Sequence, residues 1–174
     1  DDAKDAALAQ KLSNDPKENA EHIMLVDLAR NDLSRGGKNT KVEVYREVQY
    51  YSHVIHLVSK VTAEIDEKSD KMKIVGDTFP AGTLSGAPKY KAMQLIDTYE
   101  QSSRSFYGGC IGHIDFNGDF NHAIMIRSFL SKDNTLVFQA GAGVVADSVP
   151  QSELQEVENK LAALNKAIEL AKSL

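Results

Sequence analysis

Two pairs of glutamates carry the first chemical signal in this chain. Glu18 and Glu21, and again Glu153 and Glu156, stand three residues apart in stretches patterned as helix. That spacing puts both carboxylates of a pair on one helical face. Acids in the first turns of a helix also suit its positive dipole end with no further role. Chemistry enters if the two helices converge. Four carboxylates would then offer the hard oxygen donors that Mg²⁺ takes, with water and ligand oxygens completing its shell. Four acids packed together without a cation would repel one another, so convergence requires the ion.

Other residue types point to binding or proton transfer. His56 is out of phase with the apolar Ile55 and Leu57, so it projects from the second face of its strand. A near-neutral pKa suits it to moving a proton, although a lone strand histidine is more often structural. His53 falls on the Ile55 face and ranks lower. Thr83-Leu84-Ser85-Gly86-Ala87-Pro88-Lys89 is a small-residue loop feeding a helix start, a place where anions bind. It lacks the glycine spacing of a dinucleotide loop and the Gly-Lys-Ser/Thr ending of a nucleotide loop. Its plainer reading is a capped helix with Ser85 as the cap. Gly141-Ala142-Gly143 lets a ligand approach bare backbone, or merely ends a strand. Arg127, between Ile126 and Phe129 in a mostly apolar run, needs an acidic partner or a carboxylate ligand if its charge is buried.

The elements that must position these groups follow from periodicity. Ala-, Lys- and Asp-rich residues 1–14 read as a frayed lead-in or a helical turn or two. Asp15-Pro16 is a strong helix start, and the helix runs to about Asp32 with Ile23, Leu25, Val26 and Leu28 near one side. Thr40 to Glu47 and Ser52 to Ile65 alternate as strands, and a charged turn or short helix spans Lys68 to Val75. A helix over Pro88–Glu100 buries Met93, Leu95 and Ile96. Strands over Tyr107–Phe116 and Phe120–Leu130 flank the hairpin signal Asn117-Gly118, and a third strand covers Thr135–Gln139. A last helix from Pro150 carries Leu154, Val157, Leu161, Leu164 and Ile168 as its core stripe. Helices and antiparallel strands without a βαβ rhythm give an α+β fold.

Composition bounds the function. The chain has 174 residues, 42% hydrophobic and 26% charged, enough for a globular domain with a core. A formal net charge of −5 provides no basic field for nucleic acid or an anionic membrane. No apolar run approaches the roughly 18 residues of a membrane span, and no secretory signal opens the sequence. Cys110 is the only cysteine, which excludes an internal disulfide and fits a reducing cytosol. The opening Asp1-Asp2-Ala3-Lys4-Asp5-Ala6 reads as the middle of a longer chain.

Five strings occur in order: Glu21-His22-Ile23-Met24-Leu25-Val26-Asp27-Leu28-Ala29-Arg30-Asn31-Asp32, Val54-Ile55-His56-Leu57-Val58-Ser59, Gly82 through Lys89, Gln139-Ala140-Gly141-Ala142-Gly143, and Glu153-x-x-Glu156-x-x-x-Lys160. Together they resemble the chorismate-utilising enzymes from Asp15 to nearly the C-terminus. The Gly-Thr-Leu-Ser-Gly-Ala-Pro form at Gly82–Pro88 resembles that of anthranilate synthase large components. Aminodeoxychorismate synthases usually carry Ser-Ile-Thr-Gly-Ala-Pro there.

The resemblance implies conversion of chorismate and ammonia to anthranilate and pyruvate, a lyase reaction of tryptophan biosynthesis, with ammonia from a glutamine amidotransferase subunit or from solution. It implies Glu18, Glu21, Glu153 and Glu156 as magnesium carboxylates. His56 corresponds to the active-site histidine near the leaving hydroxyl, as donor or acceptor. Thr83, Tyr107, Arg127, Gly143 and Lys160 match substrate-binding positions. The family's catalytic domain is a longer α+β sandwich in which strands of both halves share sheets. Residues 1–14 then form a lead-in, and residues 15–174 the C-terminal part of that domain, without its upstream loop and upstream acid. Such a piece, taken alone, is expected to be inactive and to self-associate through open strand edges. The competing readings are aminodeoxychorismate synthase, an isochorismate or salicylate branch, and a scaffold piece without turnover.

Overall fold

A computed structural model of the chain describes residues 2–51 and 54–173; the reading of His53 falls outside them. The chain forms helices and antiparallel sheets, an α+β fold, in two compact units, Asp1–Gly82 and Thr83–Leu174.

In the first unit, α1 (Asp2–Asn14), α2 (Pro16–Ser34) and α3 (Lys71–Thr78) accompany a ribbon of β1 (Lys38–Tyr50) and β2 (Ile55–Glu64). The start of α2 is where Asp15-Pro16 places it. The Asp15 carboxylate accepts from the backbone N–H of Lys17 at 2.9 Å and of Glu18 at 3.0 Å, satisfying two otherwise orphaned donors. The supposed lead-in is a full 13-residue helix, because it packs against β2 and α2. β1 has 13 residues against 10 in β2, and the surplus is taken up by three irregularities in register. Asn39 and Arg46, with φ of 53° and 55°, sit at two of them. Bulges of this kind twist the strand and re-aim its side chains. α2 packs on both strands. A Cβ at Gly82 would collide with the Leu28 side chain of α2, so only glycine lets the chain pass there.

The second unit contains α4 (Lys89–Tyr99), β3 (Cys110–Ile114) paired with β4 (Phe120–Ile124), β5 (Leu130–Lys132) paired with β6 (Thr135–Val137), and α5 (Pro150–Ala171). The β3–β4 hairpin forms around Asn117-Gly118, with Gly118 at φ 81°. Its strands are shorter than their apolar runs suggested. Gly108 and Gly109 nonetheless extend the pairing through backbone bonds of 2.9 and 2.8 Å with Met125. Asp133-Asn134, with φ of 50° and 57°, close the β5–β6 hairpin, the left-handed pair that a two-residue turn demands.

Several expectations about burial need correction. Met93 and Leu95 are exposed, and only Ile96 of that trio is half-buried. Leu154 is 60% exposed, so the α5 stripe begins at Val157 and centres on the buried Leu164. Pro88, not Ser85, is the N-cap of α4, and the cap residue itself makes no side-chain hydrogen bond to the helix. Arg127 lies beyond the end of β4 at φ 54° and is exposed. Its charge therefore stays in water, and the buried partner that a strand would have required is unnecessary.

The physical reason is common to all of these. Among the described residues, the buried hydrophobic core is only Ala9, Val26, Tyr107 and Leu164. The chain exposes 12742 Å², where a folded monomer of its 19.1 kDa exposes roughly 8,400 Å² and two separate bodies of half that mass roughly 10,000 Å². The apolar faces are patterned correctly, but the described chain does not cover them. Among the described residues, no helix is long and apolar enough to cross a membrane.

Candidate functional site

The second unit gathers most of the site residues marked by the sequence. Tyr107 is 7% exposed. It is delivered by a tight turn in which its N–H donates to the Arg104 carbonyl at 2.8 Å. A Cβ on Gly141 would meet the Tyr107 hydroxyl at 3.6 Å, so the phenol borders the bare backbone of the Gly141–Gly143 segment. Lys160 reaches the same segment from α5, donating from Nζ to the Gly141 carbonyl at 2.8 Å. One turn earlier, Glu156 forms an ion pair with Lys160. Tyr107, Gly141, Lys160 and Glu156 thus form one continuous set of contacts. Gly143, two residues further along, is exposed with open space around its Cα.

Glu153 is 7% exposed, in the first turn of α5. A carboxylate so placed gains from the helix dipole but loses hydration, a cost that only pairing or cation binding offsets. Carboxylate oxygens are the donors that a hard divalent cation takes, and the Glu153/Glu156 pair offers them from one buried and one half-buried acid. Within either unit, among the described residues, no three His, Cys, Asp or Glu side chains cluster as a metal site. Each pair belongs to its own unit, Glu18 and Glu21 to the first, Glu153 and Glu156 to the second.

In the first unit Glu18 is exposed and Glu21 half-buried, with Lys17 Nζ 3.7 Å from Glu21. Next to them His22 meets the Ser59 hydroxyl at 2.7 Å, and that hydroxyl also accepts the Arg46 backbone N–H at 2.9 Å. The Arg46 guanidinium donates to the Ser13 carbonyl at 2.9 Å and to Asn19 Oδ1 at 2.5 Å. Burial first, then the Arg46 charge, lowers the His22 pKa, so the ring stays neutral and accepts or donates as its tautomer dictates. This network ties α2 to the ribbon through His22 and Asn19, beside Glu18 and Glu21. His56 is exposed, while Ile55 and Leu57 beside it are half-buried, as the alternation required. Its ring meets the edge of Tyr51 at 5.8 Å. Ser59, which bonds α2, lies on the other side of β2 by strand alternation, so no contact joins His56 to the acids of α2. A groove of about 410 Å³ at that end of the ribbon is lined by Leu8, Leu12, Tyr50, Tyr51 and Ile55 among others.

Thr83 is exposed in the 3₁₀ turn Gly82–Leu84. The next residue is held by a group that the sequence reading passed over: Arg104 Nη1 donates to the Leu84 carbonyl at 2.6 Å. The same guanidinium grips Glu100 and lies over the Tyr107 ring, 5.8 Å from its centroid. The i, i+4 spacing of Glu100 and Arg104 was the available signal. It is too common on helices to stand out without the Leu84 and Tyr107 contacts.

With this geometry the comparisons with known proteins agree. Residues 1–166 match the family model of chorismate binding enzymes. The chain belongs to that family. It is 49% identical over 169 residues to anthranilate synthase component 1 of Aquifex aeolicus (strain VF5), covering 96% of this chain and 34% of the relative. The crystal structure of anthranilate synthase component I from Streptococcus pneumoniae TIGR4 superposes with a TM-score of 0.84 at 43% identity, over 91% of this chain and 37% of that one. The menaquinone-specific isochorismate synthase MenF of Escherichia coli superposes at 0.80 with 25% identity, over 95% and 38%. The chain thus spans about a third of the length of such relatives. They belong to an enzyme family that acts on chorismate, and of these three the two anthranilate synthase components share more sequence with the chain than the isochorismate synthase does.

Proposed function

We propose that the whole protein to which these residues belong is an anthranilate synthase large component, a cytoplasmic lyase of tryptophan biosynthesis. It converts chorismate and ammonia to anthranilate and pyruvate, and takes its ammonia from a glutamine amidotransferase subunit. The observation that carries this reading is the contrast in identity: 43% with an anthranilate synthase component I against 25% with an isochorismate synthase of nearly equal structural likeness. Similar backbones host different products in this family, so side chains must decide among them.

On this reading, residues 15–174 are the C-terminal part of the catalytic domain, and Glu18, Glu21, Glu153 and Glu156 hold magnesium. The ion, when bound, supplies positive charge that binds a substrate carboxylate and draws electron density from the ring. Lys160 and Arg127 offer donors to substrate oxygens, Arg127 through the two-pronged geometry of its guanidinium. Tyr107 presents its hydroxyl beside bare backbone at Gly141, and Thr83 and Gly143 complete the wall. His56 holds or moves the proton at the hydroxyl that leaves the ring. The chain spans about a third of the length of its relatives, and by itself it is expected not to turn over.

Product analysis on the full-length protein tests the reading. Chorismate, an ammonium salt and Mg²⁺ should give anthranilate and pyruvate in equal amounts. Aminodeoxychorismate without pyruvate, or isochorismate, would overturn it.

A further inference from the structure

The geometry points to Arg104 as a positioning residue that sets Thr83 and Tyr107 relative to each other for chorismate binding. The inference rests on the reading above that these two residues touch substrate. Arg104 touches neither a proposed metal ligand nor any reacting atom. Its work is done through three separate grips.

The first is Glu100, the C-cap of α4. Arg104 Nε lies 2.8 Å from one carboxylate oxygen and Nη2 lies 2.5 Å from the other. Each group shifts the other, Glu100 downward and Arg104 upward from their ordinary values, chiefly through that hydrogen bonding. Both stay charged at neutral pH, and the guanidinium plane is fixed. The second grip is the Leu84 carbonyl, 2.6 Å from Nη1. Leu84 follows Thr83 in a three-residue 3₁₀ turn, so holding its carbonyl holds the turn. The third is Tyr107, whose ring lies under the guanidinium and whose N–H donates to the Arg104 carbonyl.

Gly108 tightens the same junction. Its φ is 79°, and a Cβ there would come within 3.0 Å of the Leu84 side chain. The turn bearing Thr83 and the turn bearing Tyr107 therefore meet at Leu84, with Arg104 as the polar tie between them. Only a planar fork with separate donors can satisfy a carboxylate, a carbonyl and an aromatic face at once. A lysine ammonium carries enough donors but not in that fixed geometry.

The test is chorismate affinity in the full-length protein, measured by titration calorimetry with Mg²⁺ present and alongside KM and kcat. Arg104→Gln is expected to weaken the chorismate Kd about tenfold or more, and to lower kcat as well, since a displacement near 1 Å costs a reaction on the order of 10²-fold in rate. Arg104→Lys should recover only a small part of this, Glu100→Gln should give a milder loss, and the KM for ammonia should not move. If Arg104 only clamps the end of α4, melting temperatures will fall while chorismate Kd and KM stay within about twofold of the parent; that result overturns the inference. Should Arg104→Gln fail to fold, the Arg104→Lys and Glu100→Gln proteins decide by the same Kd. A parent protein that binds chorismate but forms another product would refute the proposed reaction while leaving this test intact.

Discussion

At the scale of single residues, the account depends on acids placed for a cation and on a few donors placed for a carboxylate. Glu21 and Glu156 are the sharpest probes, because each already has a lysine one turn away, Lys17 at 3.7 Å and Lys160 in an ion pair. Removing either carboxylate leaves the fold intact but takes away a proposed ligand. In the full-length protein Glu21→Ala or Glu156→Ala should lower kcat/KM by more than about 10²-fold, exceeding the 10- to 100-fold that outer partners of a metal produce. Near-normal turnover at saturating magnesium in either variant would count against a metal role. A pH experiment probes the Arg104 grip. The Glu100 carboxyl is held below its ordinary value mainly by its hydrogen bond with Arg104. A depressed carboxyl pKa stabilises the fold above the unfolded value, near 4.5, and the benefit fades as pH falls through the folded value. The melting temperature of the full-length protein should therefore exceed that of Glu100→Gln at pH 7, and the gap should close as the pH is taken below about 4.5. A gap independent of pH would show that the lost contact is not ionic.

At the scale of elements, local chemistry was legible and tertiary context was not. Asp15-Pro16 and the alternation around His56 identified α2 and β2 because capping and strand alternation are local rules. Asn117-Gly118 identified the β3–β4 hairpin for the same reason. The three bulges of β1 were not legible, since they arise from pairing with the shorter β2. Arg127 was misplaced because its apolar neighbours looked like strand, although the ladder ends at Ile124. The candidate site was half legible: spacing marked the glutamates and the family resemblance marked Tyr107 and Lys160, but the Arg104 link requires Leu84 and Tyr107 to be brought together by folding. Gly108 tests that junction. Gly108→Ala puts a side chain at φ 79° and against Leu84. In the full-length protein it should cost about 1–3 kcal/mol in denaturant unfolding, and the chorismate KM should rise with it. An unchanged midpoint would mean that the turn has slack which the described contacts do not provide.

At the scale of the molecule, the dominant fact is how much apolar surface is left open. Phe116 at the β3–β4 tip is fully exposed, Ile111 and Ile114 are more than half exposed, and five-residue strands pair only with each other. Two-stranded ribbons of this size are marginal alone, and open edges recruit other strands. The 174-residue chain by itself should thus make no anthranilate and should run as oligomers in size-exclusion chromatography. Steady anthranilate fluorescence from a monomeric peak would mean that these 174 residues suffice for turnover. The central proposal is that Glu18, Glu21, Glu153 and Glu156 hold magnesium in the whole protein. The most direct measurement is a crystal structure of the full-length protein soaked with Mn²⁺ in place of Mg²⁺, with the metal located by anomalous scattering. The account predicts one strong peak bordered by Glu21 and Glu156, with Glu18 and Glu153 in or next to its coordination shell and ligand oxygens at roughly 2.1–2.2 Å. Acid pairs standing more than about 10 Å apart in an ordered structure, with the metal elsewhere, would contradict it.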